Sequence, residues 1–574
     1  MGLHKQYLRV GQCAKNKLFG IDPSRGRRPA RAQNSNASTV QMLISQQGKI
    51  DNGRVAVIVV GVVTLVLGIV LTCVPWLDYI IFKHLRLWND TLSYQYWQKP
   101  GVTRLTKVFV FNVTNPDGFL NHGEKPRLVE VGPFVYREDM EKVNIHFNDN
   151  GTVSFQHHKI LTFVPELSLD KNLKVTVPNI PLLTLSTMSN SLMRVLQTML
   201  SMFLRTMNNM TPFVHVSVDE LLFGYDDTLV TLANRFFPAH KRPASRMGLL
   251  LSRNGTLQDV QTIFTGHTSM SEFGYMSRLN GRERLPFWDG PPCDSLRASE
   301  GSFFPPRRST HSDIVHVWDK DLCRIWPLQR QYSGASADGI PYEHYEPPDD
   351  VFDVPQRNPD NQCFCPDGDD ECGPAGLQNI APCQFDAPVY LSYPHFYKSD
   401  PALLESVEGL SPDPEKHQSY FNIQPKLGVP LEGQVRIQLN IKVDHAPNIH
   451  VVKKFPSIIL PIVWVQEGVA DLTPSIKRLI YLATNVADVA GPLFSYGCIV
   501  FGSSILIFIF VKAYKNVVFT RENLERGRET LRRGSSFIIN GQHRLLIVRD
   551  SYSLLSNELL SQDPDPDGEQ DAHV

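Results

Sequence analysis

The sequence predicts an α+β membrane protein: two transmembrane helices flanking one large, sheet-rich ectodomain. Two uncharged runs and a period-two alternation between them carry that expectation. Val55 to Val74 contains no charged side chain. At about 1.5 Å per residue it reaches roughly 30 Å, the thickness of a bilayer's hydrocarbon core. Val489 to Val511 is a second uncharged run, bounded by Asp488 and Lys512. Far from either, Val435, Ile437, Leu439, Ile441 and Val443 alternate with Arg436, Gln438, Asn440 and Lys442. A strand with one buried face has that period.

The first run is read as an uncleaved anchor. A secretory signal has a shorter apolar core, close to the N-terminus and followed by small residues. Here 54 residues precede the run and Pro75-Trp76-Leu77 follows it. With two spans both termini lie on one side, and flanking cations choose which. Residues 1–54 carry ten Lys and Arg against Asp22 and Asp51, and Lys512, Lys515 and Arg521 follow the second span. The positive-inside rule therefore places both termini in the cytosol. The expected layout is a tail at 1–54, a span at 55–77, an ectodomain at 78–488, a span at 489–511 and a tail at 512–574. Without the tails' 19 cations and 12 anions, 38 cations and 46 anions remain, about -8. That charge gives no general attraction for nucleic acid.

Residues 1–54 read as disordered, with Arg-Gly-Arg-Arg-Pro at 25–29 and a polar run after it. The basic run reads as a topology signal, and Gln6 breaks the myristoylation pattern that Met1-Gly2 begins. Beyond the first span, Val108, Val110, Asn112 and Thr114 alternate with Phe109, Phe111 and Val113. Strand character resumes from Arg127 to Arg137 around Gly132-Pro133.

Leu182 to Met207 departs from that pattern. Leu185, Met188, Leu192, Val195, Met199 and Phe203 recur at helical spacing, and Leu196, Leu200, Leu204 and Met207 widen the stripe. Such a Met-rich stripe is ordinarily core, so burial is expected. The alternative is an exposed apolar cap that meets lipid or a partner protein.

Asn-X-Ser/Thr acceptors stand at Asn89, Asn112, Asn150, Asn209 and Asn254. In a non-cytosolic loop they predict glycosylation and hence surface positions. Asn36 also matches, in a stretch placed in the cytosol. Six of the nine cysteines, Cys293, Cys323, Cys363, Cys365, Cys372 and Cys383, fall within 293–383. An oxidising compartment favours three disulfides over a zinc site, and spacing alone leaves all fifteen pairings open.

Several segments resemble the class B scavenger receptor family. They are Asn358-Pro-Asp-Asn-Gln-Cys-Phe-Cys365, Ala387-Pro-Val-Tyr-Leu-Ser-Tyr-Pro-His-Phe396, Gly132-Pro-Phe-Val-Tyr-Arg-Glu138, Glu220-Leu-Leu-Phe-Gly-Tyr225 and Phe264-Thr-Gly266. The resemblance covers roughly residues 55–511. It implies a β-barrel-like ectodomain, a helical ligand-binding apex at 182–210 and an apolar tunnel leading toward the bilayer. It also implies the pairs Cys293–Cys363, Cys323–Cys383 and Cys365–Cys372. The apex would present Leu192, Arg194, Leu196, Met199, Leu200, Phe203, Arg205 and Met207, which raises the expectation that part of the stripe is exposed. Fatty-acid-binding members carry apical lysines, whereas here no Lys occurs between Lys174 and Lys241, and the aligned positions hold approximately Met207 and Asn209. An apolar or protein ligand therefore becomes the better expectation than an anionic particle.

Catalytic motifs are missing: no Gly-X-Ser-X-Gly elbow, phosphate-binding Gly-Lys-Ser/Thr loop or His-Glu-X-X-His. No enzyme, cofactor or metal site is expected. His157-His158 reads as a surface pair, and Asp367-Gly-Asp-Asp-Glu371 as a solvated turn too short for an EF-hand loop. In the C-terminal tail, Asp550-Ser-Tyr-Ser-Leu-Leu555 superimposes an acidic dileucine pattern on a tyrosine-based one. Clathrin adaptor proteins read such peptides through apolar pockets that take Tyr552, Leu554 and Leu555, with Asp550 as the acidic element. Arg532-Arg-Gly-Ser535 is a weaker, kinase-type pattern.

The expected function is that of a scavenger-type receptor. It binds lipid, lipoprotein or protein cargo through its ectodomain and mediates lipid transfer or endocytic uptake, at the plasma membrane and in endosomes or lysosomes. The second expectation is a sorting receptor that escorts a luminal protein without moving lipid. The spans carry no Gly-X-X-X-Gly, so they leave a homo-oligomer open.

Overall fold

The computed structural model describes residues 52–207, 210–236, 245–307, 312–365, 372–518, 522–526, 536–539 and 542–545. It forms two compact units, Leu67–Gly497 and a second drawn from Met1–Val66 with Cys498–Val574.

Two apolar helices are long enough to cross a membrane. The first, α1 (Asn52–Cys73), ends just before Pro75, and α2 (Trp76–Leu85) follows. The second is one continuous helical run from Pro474 to Asn516. It begins as α7 (Pro474–Tyr481), passes through a π turn at Leu482–Val486 and continues as α8 (Ala487–Val518), so it starts well before the uncharged run. Pro492 lies inside α8, where it removes the N–H that would otherwise pair with the Asp488 carbonyl. Within the second unit the two helices approach closely. A Cβ added at Gly502 would lie 2.8 Å from the Gly61 carbonyl oxygen and 2.6 Å from the Leu65 nitrogen.

The larger unit is built on a 14-stranded sheet. Its strands are β1 (Val102–Val113), β2 (Leu128–Asn148), β3 (Thr152–Phe163), β6 (Gly255–Thr256), β7 (Gln261–Phe264), β8 (Met276–Leu279), β9 (Ile314–Asp319), β10 (Arg324–Ala335), β11 (Pro341–Glu346), β12 (Gln378–Asn379), β13 (Val389–Ser392), β14 (Tyr420–Gln424), β15 (Val429–Val443) and β16 (Ile458–Leu472). A separate pair, β4 (Lys174–Pro178) and β5 (Phe213–Ser217), leads into and out of the helical segment. The main order is β8-β7-β3-β2-β1-β16-β15-β14-β11-β10-β9, and every ladder is antiparallel. Among the described residues no ladder closes it into a barrel. Its two edges are instead bridged through one residue, Ser299, which pairs with Tyr275 beside β8 and with Val317 on β9.

The register confirms the strands but corrects the expected single buried face, because on β15 Arg436, Gln438 and Asn440 are buried within hydrogen-bonded surroundings while Val435, Ile437 and Leu439 are half-buried on the other side. On β1, Thr106, Val108 and Val110 face one buried side, and Val108 pairs with Phe134 and Val465. The β15 alternation pairs along β16 from Gly433↔Val469 to Val443↔Ile458, which fixes its central place in the sheet. Strand ends then define two poles. Val102, Leu472 and the turn Pro425–Gly428 lie at the end next to the spans. Helices α4 (Ile180–Ser189) and α5 (Arg194–Thr206), with the connection from Asp444 to Ser457, lie at the opposite end.

Disulfides join Cys293 to Cys363, Cys323 to Cys383 and Cys365 to Cys372. The first two close loops of 70 and 60 residues. On a chain-entropy account each removes about 4 kcal/mol of freedom from the unfolded chain.

Candidate functional site

The apical helices invert the usual amphipathic arrangement. The single stripe read from the sequence breaks at Asn190–Met193, and its first half, α4, buries Leu182 and Leu183 in the main core. In α5 the buried positions are Gln197, Ser201 and Leu204, one face at spacings of four and three. The Gln197 side chain donates to the carbonyls of Ser189 (3.1 Å) and Leu192 (3.0 Å) and accepts from Asn448 (2.5 Å). The Ser201 hydroxyl oxygen accepts the His450 N–H at 2.8 Å. Hydrogen bonds thus hold α5 down by its polar side. Its apolar side faces outward, with Met193 at 72% exposure, Met199 at 60%, Met202 at 64% and Phe203 at 47%.

Burial, the ordinary expectation for such a stripe, is therefore wrong for this half. Leu192, Arg194, Leu196, Met199, Phe203 and Arg205 share the exposed surface, while Leu200 and Met207 are half-buried against the core. Arg194 and Arg205 are the only charged side chains in 180–207. These exposed apolar side chains stand together on one face of α5 rather than singly.

The other pole holds a partly open apolar cavity of about 140 Å³. Its walls come from α3 (Leu92–Gln98) through Tyr96 and Trp97, from the sheet through Val102, Met140 and Val469, and from α7 through Ile476 and Ile480. Arg104 is its one charged lining residue. Ion pairs adjoin this cavity through Arg104. Arg104 pairs with Glu138 in register, and Lys159 stands opposite Met140 on β3. Glu138 receives Lys159 at 3.2 Å and Arg104 at 3.6 Å. Burial pushes the Glu138 carboxyl up, but the charges of Lys159 and Arg104 outweigh it and hold the group at about 2. Arg253 adds bonds to Glu467 and Asp321.

A second buried group stands behind the cavity wall. Lys142 is fully buried and donates to the Trp97 carbonyl (3.1 Å) and the Ser302 hydroxyl (2.8 Å), with Glu300 at 3.6 Å. Trp97 Nε1 donates to Glu300 at 3.3 Å. This pair therefore fastens α3 and the 300–303 segment, two cavity walls, to β2. Burial pushes the Lys142 ammonium down to about 8, against the pull of Glu300.

His157 lies beside Glu300 at 3.9 Å, with Gln261 at 3.3 Å. Burial, aided by the Lys142 charge, pushes it down to about 3. The reading of His157-His158 as a surface pair is thus wrong for His157. Strand alternation turns the two rings to opposite faces, and His158 meets Thr256 on the outside. Sequence reasoning passed over Lys142 and Gln197. Lys142 shares strand parity with Phe134, Tyr136 and Glu138, and Gln197 shares helical phase with Ser201; those spacings were the available signals.

Asn89, Asn150 and Asn254 are exposed. Asn112 is half-buried in β1 and its side-chain oxygen accepts the Thr176 N–H at 2.8 Å, so that acceptor sits on a packed strand. Asn209, Asp550, Tyr552, Leu554 and Leu555 lie outside the described residues, as do both predicted tails except 52–54, 512–518, 522–526, 536–539 and 542–545. Among the described residues no cluster of His, Cys, Asp and Glu could hold a metal ion.

An antiparallel, disulfide-bonded domain between two apolar helices long enough to cross a membrane defines a membrane-type protein of the α+β class. A family model described as "CD36 family" matches residues 59–513. The chain is 31% identical over 412 residues to scavenger receptor class B member 1 of Bos taurus, covering 71% of this chain and 79% of that relative. It is 33% identical over 389 residues to the Mus musculus protein of the same name, covering 68% and 75%. Lysosome membrane protein 2 of Homo sapiens is 32% identical over 399 residues, covering 68% and 80%. The chain belongs to the CD36 family, that of the class B scavenger receptors.

Proposed function

We propose that this protein is a receptor that docks lipid-bearing or protein cargo on its apical helices and passes lipid inward through the ectodomain to the bilayer. The observation that carries the reading is the outward apolar face of α5, held in place by Gln197 and Ser201 so that it stays uncovered. A face of methionines, leucine and phenylalanine suits apolar cargo, since flexible thioether side chains adapt to varied surfaces. Two arginines and no lysine make capture of polyanionic particles the weaker use of the same surface. The basal cavity offers apolar space at the membrane end. The tail peptide Asp550–Leu555 then drives internalisation through clathrin adaptors, from the plasma membrane toward endosomes and lysosomes, with both termini cytosolic.

The second reading, a sorting receptor for a luminal protein, draws on the same apolar apex and the same tail. Paired uptake separates the two. Cells expressing the chain are given a fluorescent lipid-loaded particle and a fluorescent lipid-free protein, and both are followed into acidic vesicles. Lipid accumulation above control, lost when a bulky side chain fills the cavity at Val469→Trp, supports transfer. Protein uptake alone supports sorting. Leu554→Ala with Leu555→Ala is expected to raise surface level and slow endocytosis; no change in either rejects the tail's role.

A further inference from the structure

Next to the spans, the larger unit exposes apolar side chains that none of the described residues covers. On α2 these are Tyr79 and Ile80; on α7 and the π turn they are Leu479, Leu482 and Val486. They are exposed because the opposite faces are fixed. Ile476, Ile480, Thr484 and Ala487 pack inward, so Leu479, Leu482 and Val486, at spacings of three and four, form an outward stripe.

A buried cation sets the rotation of both helices. Lys426, at the β14–β15 turn, reaches Asp78 on α2 at 3.3 Å and Asp488 on α8 at 2.6 Å, and only 7% of its side chain is exposed. The β10–β11 turn adds Asn485 donating to the Gly339 carbonyl at 2.9 Å and Lys477 paired with Asp338 at 3.0 Å. A buried lysine held by two carboxylates on two helices leaves neither helix free to turn its stripe inward.

We propose that this stripe is a membrane-seated collar: the leaflet on the ectodomain's side covers Tyr79, Ile80, Leu479, Leu482 and Val486. Continuity selects lipid as the occupant. The helical run from Pro474 passes without a break into the second span, and α2 follows the first span after two residues. Trp76 and Tyr79 stand at that junction, at the depth where aromatic belts meet headgroups. Leu479 is both part of the stripe and part of the cavity wall.

The test uses the full-length chain in phosphatidylcholine nanodiscs, with Cys13→Ser, Cys73→Ser and Cys498→Ala removing the other thiols. A nitroxide is attached at Leu482→Cys or Ile80→Cys, or at Leu173→Cys, an exposed apolar position near the opposite pole. The ratio of oxygen to aqueous nickel-complex accessibility is expected to be several-fold higher at 482 and 80 than at 173. Water-like accessibility at 482 and 80 overturns the collar. Spin–spin broadening at 482 that disappears on dilution with unlabelled chain assigns the face to a second copy and overturns it equally. Native folding of each variant is checked by thermal unfolding, and Val486→Cys replaces any position that fails.

Discussion

The apex and the base solve opposite packing problems with opposite residues. At the apex, Gln197 and Ser201 are buried and methionines face out. At the base, Lys142, Glu300 and His157 are buried behind a wall of apolar side chains that line an internal space. In both places polar groups do the fastening and apolar groups make the working surface. Polar groups can do this because each hydrogen bond has a defined direction, which fixes orientation. Apolar contact is non-directional and tolerates varied partners. A face for cargo and a chamber for lipid both need that tolerance.

The sharpest way to break this contrast is at Lys142. Removing the cation leaves Glu300 buried without its charge partner, so Lys142→Met is expected to cost about 3–5 kcal/mol in unfolding free energy. Because Lys142 also holds Trp97 and Ser302, hydrogen exchange should quicken in α3. A loss below 1 kcal/mol would mean that the ion pair does not fasten the cavity wall.

Acid is the next lever. His157 is depressed from 6.5 to about 3 by burial, so the folded state binds its proton more weakly than the unfolded chain does. Stability from the neutral ring is full above pH 6.5 and falls as pH drops toward 3. At pH 5 the loss is about 2 kcal/mol. Asp319, which burial and Asp321 raise to about 6, works in the opposite sense: its folded state holds the proton more tightly, so its unfavourable contribution fades below that pH. Comparing the chain with His157→Asn isolates the first effect. The variant should lose less stability between pH 7 and 5, and equal losses would remove His157 from the account.

The smallest effect on stability belongs to the apex. Met199→Glu and Met202→Glu change exposed positions and should move unfolding by no more than about 0.5 kcal/mol. Cargo uptake should nevertheless fall several-fold. Destabilisation of the size seen for Lys142→Met would show that these methionines are core after all.

The sequence was most legible where one physical constraint acts alone. Uncharged runs of bilayer length have few other uses, and α1 and α8 coincide with them. The β15 alternation marked a strand but not its closed side, since Arg436, Gln438 and Asn440 are buried while Val435, Ile437 and Leu439 are only half-buried. Legibility failed where period alone cannot assign sides. The stripe from Leu182 to Met207 is helical in phase throughout, yet its first half is core and its second half is surface. The turn at Asn190–Met193 and the Gln197 anchor decide that, and neither alters the apolar period. His157 and His158 failed for the same reason, since adjacent strand residues face opposite sides and the sequence does not say which side is closed.

By itself, then, the sequence determined the membrane class and the strands, because composition and period carry those directly, and its motifs carried the resemblance to the family. Tertiary structure alone decided which faces are covered. Lys142 meets Glu300 across 158 positions of chain, and Lys426 joins Asp78 to Asp488 across more than four hundred. Such long-range contacts set the orientation of a helix or strand only after the chain has folded, and no local pattern encodes their partners.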